Sequence, residues 1–288
     1  MLRIPRRPFC AAPSPDLHVT VPAHDAAFAQ LRHSVENGPA LIVFEGDAGV
    51  GKTHLALRLL AAELPMSVPL YLPNAAFLRS AELHQAMLHD LGLPYEGRGE
   101  SELWLAVSDA ILASAVESRR TILVLDDADG MSDTVLADLR RLDNLSVHNA
   151  PAVHVLLIGS AGLHERARQI PNLASRLGRA CRLEPLSETE ATLYLHSQAQ
   201  LVGDDAFSDE AAVLIATTAA GVPRRLNRIA SEAISVATEA GEAAVDVESV
   251  LEAVTRLDEP STLIIPATSH QPRGARMPKE KTRKRKAA

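Results

Sequence analysis

The sequence predicts an α/β fold in which a parallel five-stranded sheet is followed by a small all-helical domain. Two observations predict it. Apolar runs of strand length alternate with segments of helical periodicity, and these runs lie near residues 40–45, 68–72, 121–126, 153–159 and 180–184. Such alternation is typical of a parallel sheet covered by helices. From residue 187 to about residue 256 only helical patterns occur, so the architecture changes at that point.

The segments between the strands have the spacing of helices that pack one face on a core. Leu83, Met87 and Leu91 recur at intervals of four residues. Ser187 and Glu190 form a capping box that begins the helical part. We therefore divide the chain into four parts: a lead-in at 1–20, an α/β core at 21–186, a helical lid domain at 187–256, and a linker with a basic tail at 257–288.

A complete GxxxxGK[ST] phosphate-binding loop (P-loop) lies at residues 46–53, and the apolar run Leu41–Phe44 leads into it. Its glycines allow several backbone N–H groups to point at one anion, and the following helix adds its positive N-terminal end. We expect Lys52 to reach the β- and γ-phosphates of a nucleotide and Thr53 to offer its hydroxyl to Mg²⁺. The residues predicted to line the nucleotide are Gly46, Asp47, Ala48, Gly49, Val50, Gly51, Lys52, Thr53 and His54.

A second motif, at residues 121–127, is a buried-strand run that ends in two carboxylates and has the form of a Walker B element. Ligands of open α/β sheets bind outside the carboxyl ends of the strands. Asp126 is therefore the predicted partner of Mg²⁺, either directly or through its water shell. Asp127 is predicted to polarise the water that attacks the γ-phosphate.

Six segments of the chain form one larger pattern. They are Phe9 with its proline-rich surroundings, Val21–Ala27, GDAGVGKT at 46–53, ILVLDDAD at 122–129, VLLIGS at 155–160 and GVPRRLNRIA at 221–230. Together they resemble the AAA+ ATPases, and more closely the general secretion pathway A (ExeA-like) branch with its transposition-helper relatives. The resemblance covers about residues 8 to 256. It implies a P-loop NTPase fold that binds and hydrolyses ATP with Mg²⁺ at the interface between subunits.

The resemblance also implies three further site residues. Ser160 occupies the position of a polar sensor that follows a strand, where the family more often has a longer amide. Arg176 aligns best with the arginine that reaches the neighbouring subunit's nucleotide, and Arg179 is the alternative. Arg224 matches the sensor 2 arginine, which reports the γ-phosphate to the lid. The family usually has Glu where this chain has Asp127, which is one methylene shorter and predicts slow or partner-stimulated hydrolysis.

Charge is distributed unevenly along the chain. Residues 271–288 hold eight basic residues against one glutamate and carry a net charge of +7, so a total of −7 leaves −14 for the rest. Such a tail favours contacts with phosphate backbones. Because aromatic residues form only 3% of the chain, a stacking platform for single strands is disfavoured. The resemblance to transposition helpers, which assemble on double-stranded DNA, implies that this is the nucleic acid to expect. A solvated tail without a specific partner is the alternative.

Three functions are compatible with these features. The first is an ATP-dependent oligomeric switch, forming a ring or filament, that associates with DNA and with a protein partner that the sequence does not identify. The second is an assembly ATPase of a secretion pathway. The third is a non-catalytic adaptor that nucleotide binding gates. A P-loop kinase is disfavoured, because Gly221–Arg224 suits an AAA+ lid and no acceptor pocket is indicated.

Neither a membrane-spanning segment nor a metal site built from cysteine or histidine is predicted. No apolar stretch approaches the roughly 18 to 20 residues needed to cross a bilayer. Cys10 and Cys181 are the two cysteines, and they offer no disulfide framework or zinc spacing. The histidines are scattered. We therefore expect a cytoplasmic protein without an integral membrane segment.

Overall fold

A computed structural model describes residues 9, 19–63, 66–200 and 206–258. Its elements are α1 (Pro22–Asn37), β1 (Leu41–Gly46), α2 (Lys52–Glu63), β2 (Ser67–Leu72), α3 (Ser80–Asp90), α4 (Glu100–Val116), β3 (Arg120–Leu125), α5 (Asp133–Asp143), β4 (Ser146–Val147), β5 (Ala150–Pro151), β6 (Val153–Gly159), α6 (Leu163–Gln169), β7 (Cys181–Leu183), α7 (Glu188–Gln200), α8 (Asp209–Thr218), α9 (Pro223–Ala240) and α10 (Val247–Asp258).

The five predicted strands form one sheet in the order β2-β3-β6-β1-β7, and every neighbouring pair is parallel. The predicted α/β fold with a parallel five-stranded sheet and helices after it is thus confirmed. The short antiparallel hairpin of β4 and β5 and the helix α1 were not predicted, whereas α5 and α6 lie in segments between strands that were predicted to be helical. All five strands of the main sheet run in one direction, so their carboxyl ends share one edge of the sheet, where the P-loop and Asp126 lie.

The sheet is covered on both faces. Alternate residues of one strand face opposite sides, so Val43 packs against α3 to α6 whereas Phe44 packs against α1 and α2. Both side chains are completely buried. Burial on both faces explains why the strands appear in the sequence as continuous apolar runs.

The helices α7 to α10 share a separate apolar cluster, which also includes side chains that precede α1. Phe9 packs edge-on against Phe207 with ring centroids 5.6 Å apart, and Val19 and Val21 are buried in the same cluster. The lead-in is thereby attached to the helical part of the chain. Glu190 reinforces this attachment, because its carboxylate accepts hydrogen bonds from the N–H groups of Ser187 and Ala23.

Several sequence-based predictions concern residues outside this description. The basic tail and the linker beyond Asp258, residues 1–8 and 10–18 of the lead-in, and Cys10 lie outside the described residues. Within the described part of the chain, no helix combines the length and the apolar character needed to cross a membrane.

Candidate nucleotide site

The P-loop connects the end of β1 to the start of α2. Gly49 and Gly51 have φ angles of +86° and +111°, which side chains of L-residues disfavour. Gly46 has a different constraint, because a Cβ there would lie 2.3 Å from the carbonyl oxygen of Leu183 in the adjacent strand β7. The loop therefore depends on glycine for two reasons, backbone conformation and close packing. Its backbone precedes the positive N-terminal end of α2, which fits a phosphate group.

Lys52 lies folded over this loop. Its Nζ donates to the carbonyl oxygens of Gly46 at 2.7 Å and Asp47 at 2.9 Å. Burial lowers the pKa of the Lys52 ammonium, while the nearby carboxylates, Asp126 foremost, act in the opposite direction. Neutral carbonyls are weaker partners than a charged phosphate oxygen. The lysine thus has acceptors that an anion could replace.

The remaining loop residues are arranged differently from one another. Val50 is fully buried in the apolar cluster that the sheet forms with α1 and α2, whereas the side chains of Asp47 and Ala48 are exposed. His54 is half-buried in the first turn of α2. Val50 therefore supports the loop through packing, and its backbone is the part available to a ligand.

Thr53 and Asp126, which are 73 positions apart in sequence, meet at the end of the sheet. The Thr53 Oγ1 donates to the Asp126 Oδ2 at 2.7 Å, and Asp126 is only 5% exposed. A hydroxyl and a carboxylate side by side are the oxygen ligands that Mg²⁺ prefers. The two side chains therefore fit a Mg²⁺ ion bound together with phosphate oxygens.

Tyr71, on strand β2, is a third member of this cluster that the sequence analysis missed. Its hydroxyl donates to the Asp126 Oδ2 at 3.1 Å. Burial and the adjacent Asp126 carboxylate raise the pKa of Tyr71 to about 12. The phenol consequently stays protonated and keeps its donor role at any physiological pH.

Asp127 directly follows Asp126 and is exposed at the edge of the site. Its backbone is left-handed, with φ 56° and ψ 41°, and a 3₁₀ turn at Ala128–Gly130 begins after it. Its N–H donates to the Asp126 Oδ1 at 3.1 Å. A left-handed conformation is uncommon for a residue other than glycine and is frequently found at functional sites. This conformation points the two carboxylates of the motif into different surroundings, one buried and one exposed.

Ser160 follows β6 and contacts Asp129, which the sequence analysis did not single out. The Ser160 N–H donates to the Asp129 Oδ2 at 2.8 Å, and the Ser160 Oγ donates to the Asp129 Oδ1 at 2.9 Å. Both donors of Ser160 are therefore directed at one carboxylate.

Arg224 approaches the P-loop from the helical part of the chain. Its N–H donates to the Gly49 carbonyl oxygen at 3.1 Å, and a Cβ on Gly49 would lie 2.8 Å from the Cβ of Arg224. Its side chain is exposed, and the guanidinium forms no hydrogen bond or ion pair with the residues that the structure describes. The backbone of Arg224 is thus attached to the P-loop, and its guanidinium has no partner among the described residues.

The two candidate interface arginines differ in their surroundings. Arg176 donates to Asp143 and, at 2.7 Å, to the Asn144 Oδ1, both at the end of α5. Arg179 is exposed and has no hydrogen bond or ion pair within 19–63, 66–200 and 206–258. The site as described brings together Lys52, Thr53, Asp126, Asp127 and Arg224, and none of the described hydrogen bonds or ion pairs joins Arg176 or Arg179 to these residues.

Glu45, a buried carboxylate in β1, holds the segment after Ser160. Its Oε2 accepts from the N–H groups of Gly162 and His164, both at 3.2 Å, and its Oε1 accepts from the Arg182 Nη2 at 2.7 Å. Burial raises the pKa of the Glu45 carboxyl, but these hydrogen bonds outweigh burial and the net pKa is lowered. A charged residue near the end of a buried strand was the signal that could have revealed it.

Residues 35–167 match the AAA domain family. The chain therefore contains a stretch that is similar to an AAA domain. Over a longer stretch of 240 residues, the General secretion pathway protein A of Aeromonas hydrophila is 28% identical, and the match covers 81% of this chain and 44% of the relative. The chain thus spans less than half of that relative's length. The predicted resemblance to AAA+ ATPases and to this branch is confirmed as a similarity.

Solved structures share the AAA+ fold at lower identity. The ORC1 protein of Aeropyrum pernix, solved in complex with DNA, has a TM-score of 0.67 and 20% identity, covering 88% of this chain and 69% of its own. Cdc6p of Pyrobaculum aerophilum has a TM-score of 0.67 and 18% identity, covering 85% of this chain and 70% of its own. At such identities the likeness shows the fold alone.

Replacing Glu45 by glutamine tests how much its buried hydrogen bonds stabilise the protein. We expect Glu45→Gln to destabilise the protein by about 1 to 3 kcal/mol at pH 7, because charge-assisted hydrogen bonds to a buried group are lost. A carboxyl whose pKa is lowered on folding contributes stability above its unfolded pKa and loses it as pH falls through the folded value. The wild-type advantage in urea unfolding should therefore shrink as pH falls below 4.5, the ordinary value for this group.

Glu184→Gln is the matched control for this prediction. Glu184 also approaches Arg182, at 4.0 Å, but its side chain is 71% exposed, so its removal should change stability by less than about 0.5 kcal/mol. If the two variants had equal stability at pH 7, Glu45 would contribute nothing through its buried hydrogen bonds.

Proposed function

We propose that this protein binds ATP with Mg²⁺ at the P-loop and hydrolyses it. The observation that carries the proposal is the hydrogen bond of 2.7 Å between Thr53 and Asp126. It joins the P-loop to the carboxylate motif and puts two oxygen ligands beside the ammonium of Lys52. A glycine-rich turn of purely structural origin would not need a buried carboxylate facing the threonine.

Each side chain then has a separate task. Lys52 would leave the loop carbonyls and contact the β- and γ-phosphates, while Thr53 and Asp126 would hold Mg²⁺. The ion, when bound, neutralises charge on the phosphate oxygens. Asp127, exposed beside the buried Asp126, would orient the attacking water and accept its proton. The energetic contribution of these groups comes mainly from positioning and electrostatics.

Arg224 would link the nucleotide to the helical lid. Its backbone already contacts Gly49, so extension of the guanidinium toward a γ-phosphate requires no large movement of the lid. Loss of the γ-phosphate on hydrolysis would remove that partner. The lid could therefore change position between the ATP and ADP states, which is the property of a switch.

The proposed switch is an oligomer in which a neighbouring subunit completes the site. An interface role requires a guanidinium that is available to a neighbouring subunit. The Arg179 guanidinium has no partner among the described residues, whereas Arg176 is already engaged with Asp143 within its own chain. We expect Arg179→Ala to reduce ATP turnover about 10-fold or more at concentrations where subunits assemble, with ATP binding by isolated subunits unchanged.

Arg176→Ala provides the comparison for this prediction. It should lower thermal stability, because it leaves Asp143 without this guanidinium. Mixing Arg179→Ala with Lys52→Ala should restore part of the turnover, since an interface is intact wherever the P-loop of an Arg179→Ala subunit meets the arginine of a Lys52→Ala subunit. An Arg179→Ala protein that turns over ATP at the wild-type rate in the assembled state would assign the role elsewhere.

We further propose that the switch associates with double-stranded DNA through phosphate contacts in the cytoplasm and recruits a protein partner. The basic residues of 271–288 support this proposal, as does the structural likeness to an ORC1 protein that was solved with DNA. Contacts of this kind carry little sequence information and weaken with salt.

Phosphate release by the full-length protein, with and without double-stranded DNA, tests the proposal. Lys52→Ala serves as the blank, and a full-length variant with the basic residues of 271–288 changed to glutamine tests the tail. The proposal predicts that DNA raises turnover and that salt or loss of the tail charges weakens the effect. Equal turnover with and without DNA would contradict the proposed DNA association. It would favour a protein partner instead, as in the secretion alternative suggested by the Aeromonas hydrophila relative.

A non-catalytic adaptor is the second candidate. One observation favours it: the N–H and the hydroxyl of Ser160 both donate to the Asp129 carboxylate, so the hydroxyl already has a protein partner instead of a phosphate. An adaptor would bind ATP at Lys52 and Thr53 but release no phosphate above the Lys52→Ala blank. Nucleotide binding without turnover, with and without DNA, would establish the adaptor.

A further inference from the structure

Asp129 is the residue that joins the loop after β3 to the loop after β6. Its carboxylate accepts both donors of Ser160, at 2.8 and 2.9 Å, and its backbone carbonyl oxygen accepts from the Arg166 Nη1 at 2.8 Å. The Asp129 carboxylate also lies close against the end of β6, since a Cβ on Gly159 would be 2.9 Å from both of its oxygens and 2.6 Å from the Leu163 Cδ2. Three residues that follow or end β6 thus surround one aspartate.

Arg166 extends the same connection. Its Nη2 donates to the carbonyl oxygen of Met131 at 2.5 Å and to the Asp133 Oδ1 at 2.7 Å. The guanidinium therefore fixes both ends of the segment from Asp129 to Asp133. Because guanidinium presents its donors in a rigid fork, it sets orientation as well as distance.

The segment held in this way begins immediately after Asp127. Asp127 is left-handed and precedes the 3₁₀ turn at Ala128–Gly130, of which Asp129 is the middle residue. A residue in a disfavoured conformation keeps it only when its surroundings fix the chain on both sides. On one side Asp126 is bound by Thr53 and Tyr71. On the other side, the anchor is Asp129.

We infer that Asp129 is the positioning residue for hydrolysis, holding Asp127 where it meets the attacking water, with Ser160 and Arg166 as its anchors. The inference rests on the proposed hydrolysis of ATP. It assigns Ser160 a role different from direct sensing of phosphate. Asp129 itself does not touch the reacting atoms and acts through Asp127.

Asp129→Asn is the decisive variant, because it keeps the size of the side chain and replaces one acceptor oxygen by a donor that would face a Ser160 donor. We expect kcat to fall about 10-fold or more, while the KM for ATP and the binding of a fluorescent ATP analogue change less than about 3-fold. Asp138→Asn is the matched control. Asp138 is a half-buried aspartate of α5 that pairs with Arg141 at 3.4 Å, and no described hydrogen bond or ion pair joins it to Ser160 or Arg166, so the kcat of this variant should stay within about 2-fold of wild type.

Two further variants separate positioning from direct sensing. Ser160→Ala keeps its backbone bond to Asp129, so kcat should fall less than in Asp129→Asn, and the double variant should be no slower than Asp129→Asn alone. Arg166→Gln should also lower kcat with KM unchanged. If Ser160 contacted phosphate directly, Arg166→Gln would be harmless and the effects of Asp129→Asn and Ser160→Ala would multiply. That result would overturn the inference.

The comparison of wild type with Lys52→Ala separates this inference from the proposed function. If wild type releases phosphate and Asp129→Asn does so equally fast, the positioning role is wrong and the hydrolysis stands. If wild type releases none above the blank, both fall together. Should thermal unfolding show that Asp129→Asn does not fold, Arg166→Gln and Ser160→Ala decide the matter, because only positioning predicts that both lower kcat.

Discussion

Asp127→Asn should reduce phosphate release about 100-fold or more while ATP binding persists. Loss of a positioned general base costs on the order of 10² to 10⁴ in rate. Binding should survive because Asp127 is exposed, whereas Thr53 and Asp126 form the buried contact that would hold Mg²⁺. Single-turnover hydrolysis measured beside equilibrium binding of ATP separates the two properties.

Asp109→Asn is a suitable control for this variant, since Asp109 is an exposed aspartate in helix α4. It should hydrolyse ATP at the wild-type rate. A protein with Asp127→Asn that retained more than about half of the wild-type turnover would exclude Asp127 as the base. Asp129, the neighbouring carboxylate on the same turn, would then be the next candidate.

Gly221→Ala should destabilise the protein by roughly 2 to 5 kcal/mol. Gly221 has φ +66°, and a Cβ there would lie 1.9 Å from the carbonyl oxygen of Leu186. A left-handed alanine costs about 1 to 2 kcal/mol and forced overpacking about 1 to 3 kcal/mol more. The change would also disturb Arg224, which follows closely in the chain. Urea unfolding and ATP binding should therefore show losses of both stability and affinity.

Gly241→Ala separates the two causes. Gly241 also has a positive φ, +75°, but a Cβ there would meet no atom within 4 Å. It should cost only about 1 kcal/mol and leave ATP binding unchanged. Equal losses for the two variants would mean that the contact with Leu186 is not the cause.

Much of the fold could be predicted because the central strands are buried on both faces. Runs such as Ile122–Leu125 are completely buried and therefore appear as unbroken apolar stretches. The β4–β5 hairpin gives no such signal, since its strands have two residues each and are largely exposed. Helix α1 did offer a pattern, with Ala27, Leu31 and Val35 buried at intervals of four, which the sequence analysis missed.

The candidate site could be predicted only where its residues follow a fixed spacing. Gly46 to Thr53 and the pair Asp126–Asp127 each lie within one short segment. The contacts of Asp129 with Ser160 and of Glu45 with Arg182 depend instead on strand order, because β3 lies beside β6 and β1 beside β7. No spacing in the sequence encodes those neighbours. Polar residues at strand ends were the available signal.

The central claim is that the P-loop and Asp126 form a working ATP site. Phosphate release by wild type and by Lys52→Ala, measured over a range of ATP concentrations with Mg²⁺ and with EDTA in its place, tests it most directly. We expect saturable, Mg²⁺-dependent turnover in wild type and none in the variant. Equal phosphate release by the two proteins, or equal turnover with Mg²⁺ and with EDTA, would contradict the claim.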